Sequence, residues 1–213
     1  MSFLLRGAGF LWMGVLAGCH TANSYAVART IAPGQLSTTL AFEGFAIDRT
    51  SHVSGEPLPD RKSHRHAFTL PTGMLSYGAS RRVEVRFSLR GLSSAGFDTK
   101  VQFLKGPVAM AVMPGGQVSP RVATATLPLL IDVRAGEYFT FVLSPGVTLG
   151  ARLDGSPTAA QPDGLFGQLG AGVRVKVTET VALHPEVTMM RSLDGSPTRW
   201  LTLGIGLIGQ GAL

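Results

Sequence analysis

Arg82-Val83-Glu84-Val85-Arg86-Phe87-Ser88-Leu89-Arg90 alternates polar and apolar side chains from end to end. A period of two turns Val83, Val85, Phe87 and Leu89 to one side of an extended chain and Arg82, Glu84, Arg86, Ser88 and Arg90 to the other. Wound as a helix, the same residues would put charge on every side. The stretch therefore reads as a strand with one apolar face and one charged face.

The pattern recurs outward in both directions, as Leu36/Thr38/Leu40/Phe42, Phe139/Phe141/Leu143, Val173/Val175/Val177 and Leu201/Leu203/Ile205/Leu207. No segment after residue 18 has a helical period. Ten strands are expected, at about 35–47, 67–77, 82–90, 99–104, 108–114, 122–134, 138–149, 165–177, 181–191 and 199–208. Tight turns are expected at 78–81, 105–107, 135–137 and 178–180. Longer polar loops are expected at 48–66, 91–98, 115–121, 150–164 and 192–198. Long and short connections thus alternate along the chain, as they do at the two ends of a membrane barrel.

Composition points the same way. The formal charge is +6, but the basic residues are scattered with no run of five, which argues against a nucleic-acid partner. Charged residues are 15% of the chain, against about 25% in ordinary soluble domains. Mean hydropathy is positive, yet residues 19–213 contain no apolar run near the ~20 residues of a membrane helix. The expected fold is all-β: a closed antiparallel transmembrane β-barrel of about ten strands, with eight or twelve as neighbouring solutions.

A water-soluble barrel of the lipocalin type would use the same alternation with its apolar set turned inward around a ligand. Two features oppose it. The second face is rich in small residues (Ala41, Gly73, Ala109, Ala111, Thr140, Gly170, Gly172, Gly204), which suits a crowded lumen. The apolar faces are almost free of charge over whole strands, as contact with lipid requires.

Ahead of the strands, Arg6 precedes an uncharged apolar stretch, Gly7 to Val15, too short to cross a bilayer. It runs into Leu16-Ala17-Gly18-Cys19, which holds the only cysteine, so the chain forms no internal disulfide. These four residues resemble the lipobox of bacterial lipoproteins. The resemblance implies a signal peptide over 1–18 and a lipid on Cys19, the first mature residue. Residues 19–34 then form a lipidated tether, polar and ending in Ala32-Pro33-Gly34, and 35–213 the barrel.

From Gln35 to Ile208 the chain resembles a small bacterial outer-membrane β-barrel. That resemblance implies a place in the outer membrane with the long loops outside. An even strand count leaves both ends of the barrel on the short-turn side, where a lipid on Cys19 would enter the inner leaflet. Barrels of this group end on an aromatic residue, whereas this sequence closes with Gly-Ala-Leu213.

The alternation places Glu43, Glu84, Arg86, Arg90, Lys100, Asp132, Arg134, Arg174, Lys176, His184 and Glu186 in the lumen. A tight turn at 178–180 sets Lys176 opposite Ala182 and Arg174 opposite His184, with Glu186 diagonal to Arg174. Buried charges must pair, so a salt-bridge network plugging the lumen is expected, with a narrow basic channel as the alternative. His184-Pro185-Glu186 is the most enzyme-like cluster, half of a hydrolytic relay, with Ser88 and Ser144 as the available hydroxyls. No serine at a defined spacing completes it, so no catalytic residue and no enzymatic activity are expected. A lipid-modifying enzyme is a further alternative.

In the first loop His52, His64 and His66 with Glu56 and Asp60 offer metal-ligand chemistry, but Arg61, Lys62 and Arg65 repel a cation. No metal or other cofactor is expected. Leu-Asp-Gly-Ser-Pro-Thr occurs twice, at 153–158 and 193–198, as turn chemistry in two loops. Phe42, Phe45, Phe68, Tyr77, Phe139 and Trp200 lie near strand ends as candidates for aromatic belts. Outer-membrane lipids are the expected partner, with an extracellular or periplasmic protein as a second.

Overall fold

The computed structural model describes residues 22–51, 61–68, 71–91, 93–153, 163–195 and 198–212. These contain no helix. The first half of the chain supplies β1 (Gln35–Ser51), β2 (Arg61–Phe68), β3 (Thr72–Gly78), β4 (Val83–Arg90), β5 (Ser94–Leu104) and β6 (Val108–Val112). The second half supplies β7 (Gly115–Val118), β8 (Val122–Ala135), β9 (Phe139–Arg152), β10 (Gly164–Lys176), β11 (Val181–Ser192) and β12 (Thr198–Ala212).

Two pairs of these segments are single barrel positions interrupted by proline. β2 pairs with the far half of β1 and β3 with its near half, with Pro71 in the gap between them. β6 and β7 both lie between β5 and β8, parted at Met113-Pro114. Proline has no N–H for the ladder, so the pairing breaks there. Ten antiparallel positions result. β12 closes them by pairing with β1 along its length, from Gln35 opposite Ala212 to Arg49 opposite Thr198. Closure leaves no sheet edge unpaired.

The apolar face of each ribbon points outward. Along β4, Phe87 and Leu89 are 47% and 52% exposed, while Glu84, Arg86 and Ser88 are 7%, 6% and 3% exposed. Leu40, Phe42, Phe97, Phe141, Leu203 and Leu207 are exposed in the same way around the cylinder. That orientation is the reverse of a lipocalin-type barrel, whose apolar residues would gather inside. Three alternations read differently in the structure. Phe45 and Trp200 face the lumen rather than a belt, and Gly73 lies on the exposed face of β3. Phe42, Tyr77, Phe139 and Phe68 are exposed.

The short turns 79–82, 105–107, 136–138 and 177–180 gather at one end, here the turn end. Gly136 adopts a φ of +73° there, a conformation glycine takes without strain. At the opposite, loop end two connections are tighter than expected. β5 starts at Ser94 and β7 fills 115–118, leaving three-residue connections at 91–93 and 119–121 instead of loops over 91–98 and 115–121. Ser94, Gly96, Asp98, Gly115 and Gly116 have loop chemistry by type, but here they line a crowded wall. A Cβ on Gly96 would lie 2.6 Å from Ser88 Oγ, and one on Gly116 would lie 2.9 Å from the Thr124 carbonyl.

Candidate functional site

The segment read as a polar tether lies inside the cylinder. Asn23, Ser24, Tyr25, Ala26, Val27 and Ala28 are all buried. Ala22 packs beside Phe45, Ile47, Phe166, Met190 and Trp200 in the loop half. From there the chain descends to the turn end, where the Gly34 amide donates to the Gly78 carbonyl (2.9 Å), and β1 climbs back up the wall. The lumenal half of the fold is therefore filled by the chain that precedes the barrel.

A buried backbone needs a partner for each N–H and C=O, and this segment runs alongside no strand. Charged side chains of the wall take the place of a ladder. The Ser24 and Tyr25 amides donate to the two oxygens of Glu186 (2.8 and 2.6 Å). The Arg29 amide donates to Asp132 (3.1 Å) and the Ile31 amide to Glu84 (3.1 Å). The carbonyls meet bases instead. Arg86 donates to Ser24 (2.5 Å), Arg90 to Asn23 (3.2 Å), and Lys100 to both Val27 and Arg29 (3.0 Å each). Acids sit under amides and bases under carbonyls, so each charge is matched to the segment's polarity at its level.

The same charges also pair within the wall. Lys100 pairs with Glu84 at 2.7 Å, Arg86 with Asp98 at 3.0 Å, and Arg90 with Glu43 at 3.8 Å. Arg29, from the segment, pairs with Asp132 at 3.3 Å. Thr72 Oγ1 also donates to Glu43 (3.4 Å). The structure thus brings Glu43, Glu84, Arg86, Arg90, Lys100, Asp132 and Glu186 together around the segment. Lys176 stands apart at the rim with Glu179 (2.7 Å), and Arg134 and Arg174 face a cavity at the turn end.

Glu186 makes no bond to Arg174, its expected diagonal neighbour; its two oxygens accept instead from the Ser24 and Tyr25 amides. The same occupancy bears on the enzyme-like cluster. His184 Nε2 stands 3.9 Å from Glu186 Oε2, beyond a hydrogen bond. His184 packs instead against the edge of Tyr25, ring centroids 6.1 Å apart. Pro185, with no N–H to give, interrupts the β10–β11 ladder beside it.

Glycines shape the wall to the segment. A Cβ on Gly204 would collide with Tyr25 Oη, and one on Gly206 would lie 2.9 Å from Tyr25 Cδ1. Asn23 Nδ2 donates to the same phenol (3.0 Å). On Gly172, a Cβ would lie 2.7 Å from His184 Nε2. These residues form a flat seat for Tyr25 and His184. Above the segment the lumen closes apolarly, with Phe45 stacked on Trp200 (6.2 Å, 25°) and Ile47, Phe166 and Met190 around them.

Sequence reasoning missed Asp98, counted with a loop, and every residue of the segment from Asn23 to Ile31. One signal was present. Glycines recur at lumen-facing positions of β10 and β12, and a wall hollowed in this way needs something to fill it. Of the first-loop residues, His66 is exposed; His52, Glu56, Asp60 and the His64 side chain lie outside the described residues, as does Cys19. The second Leu-Asp-Gly repeat begins as a turn, with Ser192 Oγ donating to Asp194 and Gly195 at φ +89°; most of the first copy is outside the described residues.

No protein-family model matches the chain, and no curated protein does. Among solved structures it is similar to Ail, the attachment invasion locus protein of Yersinia pestis, at 10% identity over 84% of this chain and 99% of that one, TM-score 0.42. It is similar to Neisserial surface protein A at 11% identity over 81% and 96%, TM-score 0.44. It is similar to the outer membrane protease OmpT of Escherichia coli at 11% identity over 86% and 100%, TM-score 0.46. The fold assignment rests on this chain's own closed ladder.

Proposed function

We propose that this chain is an outer-membrane β-barrel stoppered by its own N-terminal segment, with a structural or interaction role and neither transport nor catalysis as its task. One observation carries the reading: a closed cylinder with an exposed apolar wall contains a lumen blocked by the buried residues 23–28 and, in the loop half, by an apolar cluster. Water-facing proteins do not present a continuous apolar wall, and hydrocarbon is the solvent that matches it. The loop end then faces outward and the turn end the periplasm. Lipids surround the wall, and a protein partner would meet the loops or the turn end. Reconstituted in planar bilayers, the full chain is expected to give no stepwise conductance. Regular single-channel steps would overturn the stopper.

The lipid anchor on Cys19 belongs to the same proposal, with one change to the expected geometry. Ala22 lies in the loop half of the lumen, and three residues of chain reach at most about 11 Å. A lipid on Cys19 would then belong to the outer leaflet, on the loop side, rather than to the inner one. A protease site inserted between Cys19 and Ala22 is expected to be cut on intact cells. Cleavage only after the outer membrane is broken would place the N terminus on the turn side and refute the threaded arrangement.

A further inference from the structure

A cavity of about 570 Å³ opens at the turn end, between the descending segment and β8 to β11. Its lining carries four bases, Arg29, Arg134, Arg174 and Lys176, against three acids, Asp132, Glu137 and Glu179. Arg29 is engaged by Asp132 and Lys176 by Glu179. Arg174, partly buried, makes no hydrogen bond or ion pair among the described residues. The acids whose charge reaches it, Glu84 and Asp132, are committed to Lys100 and Arg29. An arginine stays charged under all ordinary conditions, and a charge removed from water calls for a counter-ion.

Register supplies the rest of the site. Thr140 on β9 is paired with Arg134 on β8 and with Arg174 on β10. All three line the cavity. With strands about 4.8 Å apart, the two arginines stand about 10 Å apart across one row, with the threonine hydroxyl between them. One guanidinium can serve a planar carboxylate alone by a two-bond fork. Two guanidiniums side by side on one wall, flanking Thr140, suit a tetrahedral oxyanion with acceptors on several faces. The volume exceeds that of a bare ion and falls in the range of small-molecule pockets.

We propose that this cavity binds a phosphate group, gripped between Arg134 and Arg174 above the Thr140 hydroxyl. The phosphate is either free or the end of a lipid headgroup; the site itself does not depend on the membrane placement proposed above. The test is calorimetric titration of the full chain, folded in a nonionic detergent, with inorganic phosphate and separately with glycerol 3-phosphate, at constant chloride. Saturable one-site binding is expected, weakened about tenfold or more by Arg174→Gln and by Arg134→Gln. Arg174→Lys should retain part of the affinity. Arg81→Gln, on a turn outside this cavity, should retain all of it. Tighter glycerol 3-phosphate binding assigns a headgroup, and tighter inorganic phosphate binding assigns a free anion. No saturation by either probe, or parental affinity in both glutamine variants, overturns the site. Arg134 is exposed at the rim, so its variant decides the matter even where Arg174→Gln does not fold.

Discussion

The two halves of one lumen are filled by opposite means. In the turn half a foreign backbone runs down the axis and the wall meets it with charge: Glu186, Asp132 and Glu84 under its amides, Arg86, Arg90 and Lys100 under its carbonyls. In the loop half the wall packs mainly on itself, through Phe45, Ile47, Phe166, Met190 and Trp200, with Ala22 of the segment at its edge. The first half is specific and conditional, since Glu186 and Asp132 meet the amides they hold only while the segment is in place. The second is unconditional, because apolar side chains pack without a donor or acceptor to match.

The largest test of that contrast removes the conditional part. Deleting residues 22–33 leaves Glu186 and Asp132 buried without the backbone amides they hold, while Lys100 keeps Glu84, and an orphaned buried charge costs about 3–5 kcal/mol. Water entering the vacated lumen will recover some of this. A fall of about 10–20 °C in the unfolding midpoint in detergent is expected, taking 2–4 °C per kcal/mol at this size. Conductance should stay small, because the loop half still closes the path. Adding Trp200→Ala should open it. A deletion variant with an unchanged midpoint would mean that the segment is a passenger.

Trp200→Ala alone comes next, at about 3–5 kcal/mol for a large aromatic removed from a packed site. The apolar account makes a sharper statement here. Buried Trp200 Nε1 has no hydrogen-bond partner, so Trp200→Phe should cost much less than Trp200→Ala in the same denaturation series. Equal losses would show that the indole nitrogen matters and that the loop half is not purely apolar.

How much of this was legible is clearest from β4. Its unbroken alternation fixed strand, period and outward face, because lipid and lumen impose opposite demands on neighbouring residues. Phe45 and Trp200 misled for a related reason. An aromatic near a strand end suits both an interfacial belt and a lumenal cap, and only position within the alternation separates them. The charged lumen was also legible as a set, from Glu43 to Glu186, but its pairing was not. Acids and bases were matched with each other, when six of them answer the backbone of residues 23–31. Backbone polarity leaves no trace in side-chain identity, so a segment of small and polar residues reads as a linker whether it hangs free or is held through its amides and carbonyls.

Glu186→Gln probes that hidden backbone partnership directly. The amide keeps one oxygen for the Ser24 or Tyr25 N–H but turns an –NH₂ toward the other, exchanging an acceptor for a donor. A loss of about 2–3 kcal/mol is expected, the scale of a charged hydrogen bond with its partner left buried. Glu186→Ala should cost at least as much.

Lys176 and Glu179 supply the smallest effect and the control for the whole comparison. Their separation, 2.7 Å, equals that of Lys100 and Glu84. Glu179, however, stands in water on the turn, whereas Lys100 and Glu84 are buried together around the segment. An exposed pair contributes about 0–1 kcal/mol, reduced further by salt. Glu179→Gln should therefore leave the unfolding midpoint unchanged within error, and 0.5 M salt should erase any residue of the effect. Glu84→Gln should lower the midpoint at either salt concentration, because it also weakens the bond to the Ile31 amide. A large effect at Glu179 together with a small one at Glu84 would mean that distance between charges governs this lumen. The expected order, Glu84 well above Glu179, makes burial beside an unpaired backbone the governing quantity instead.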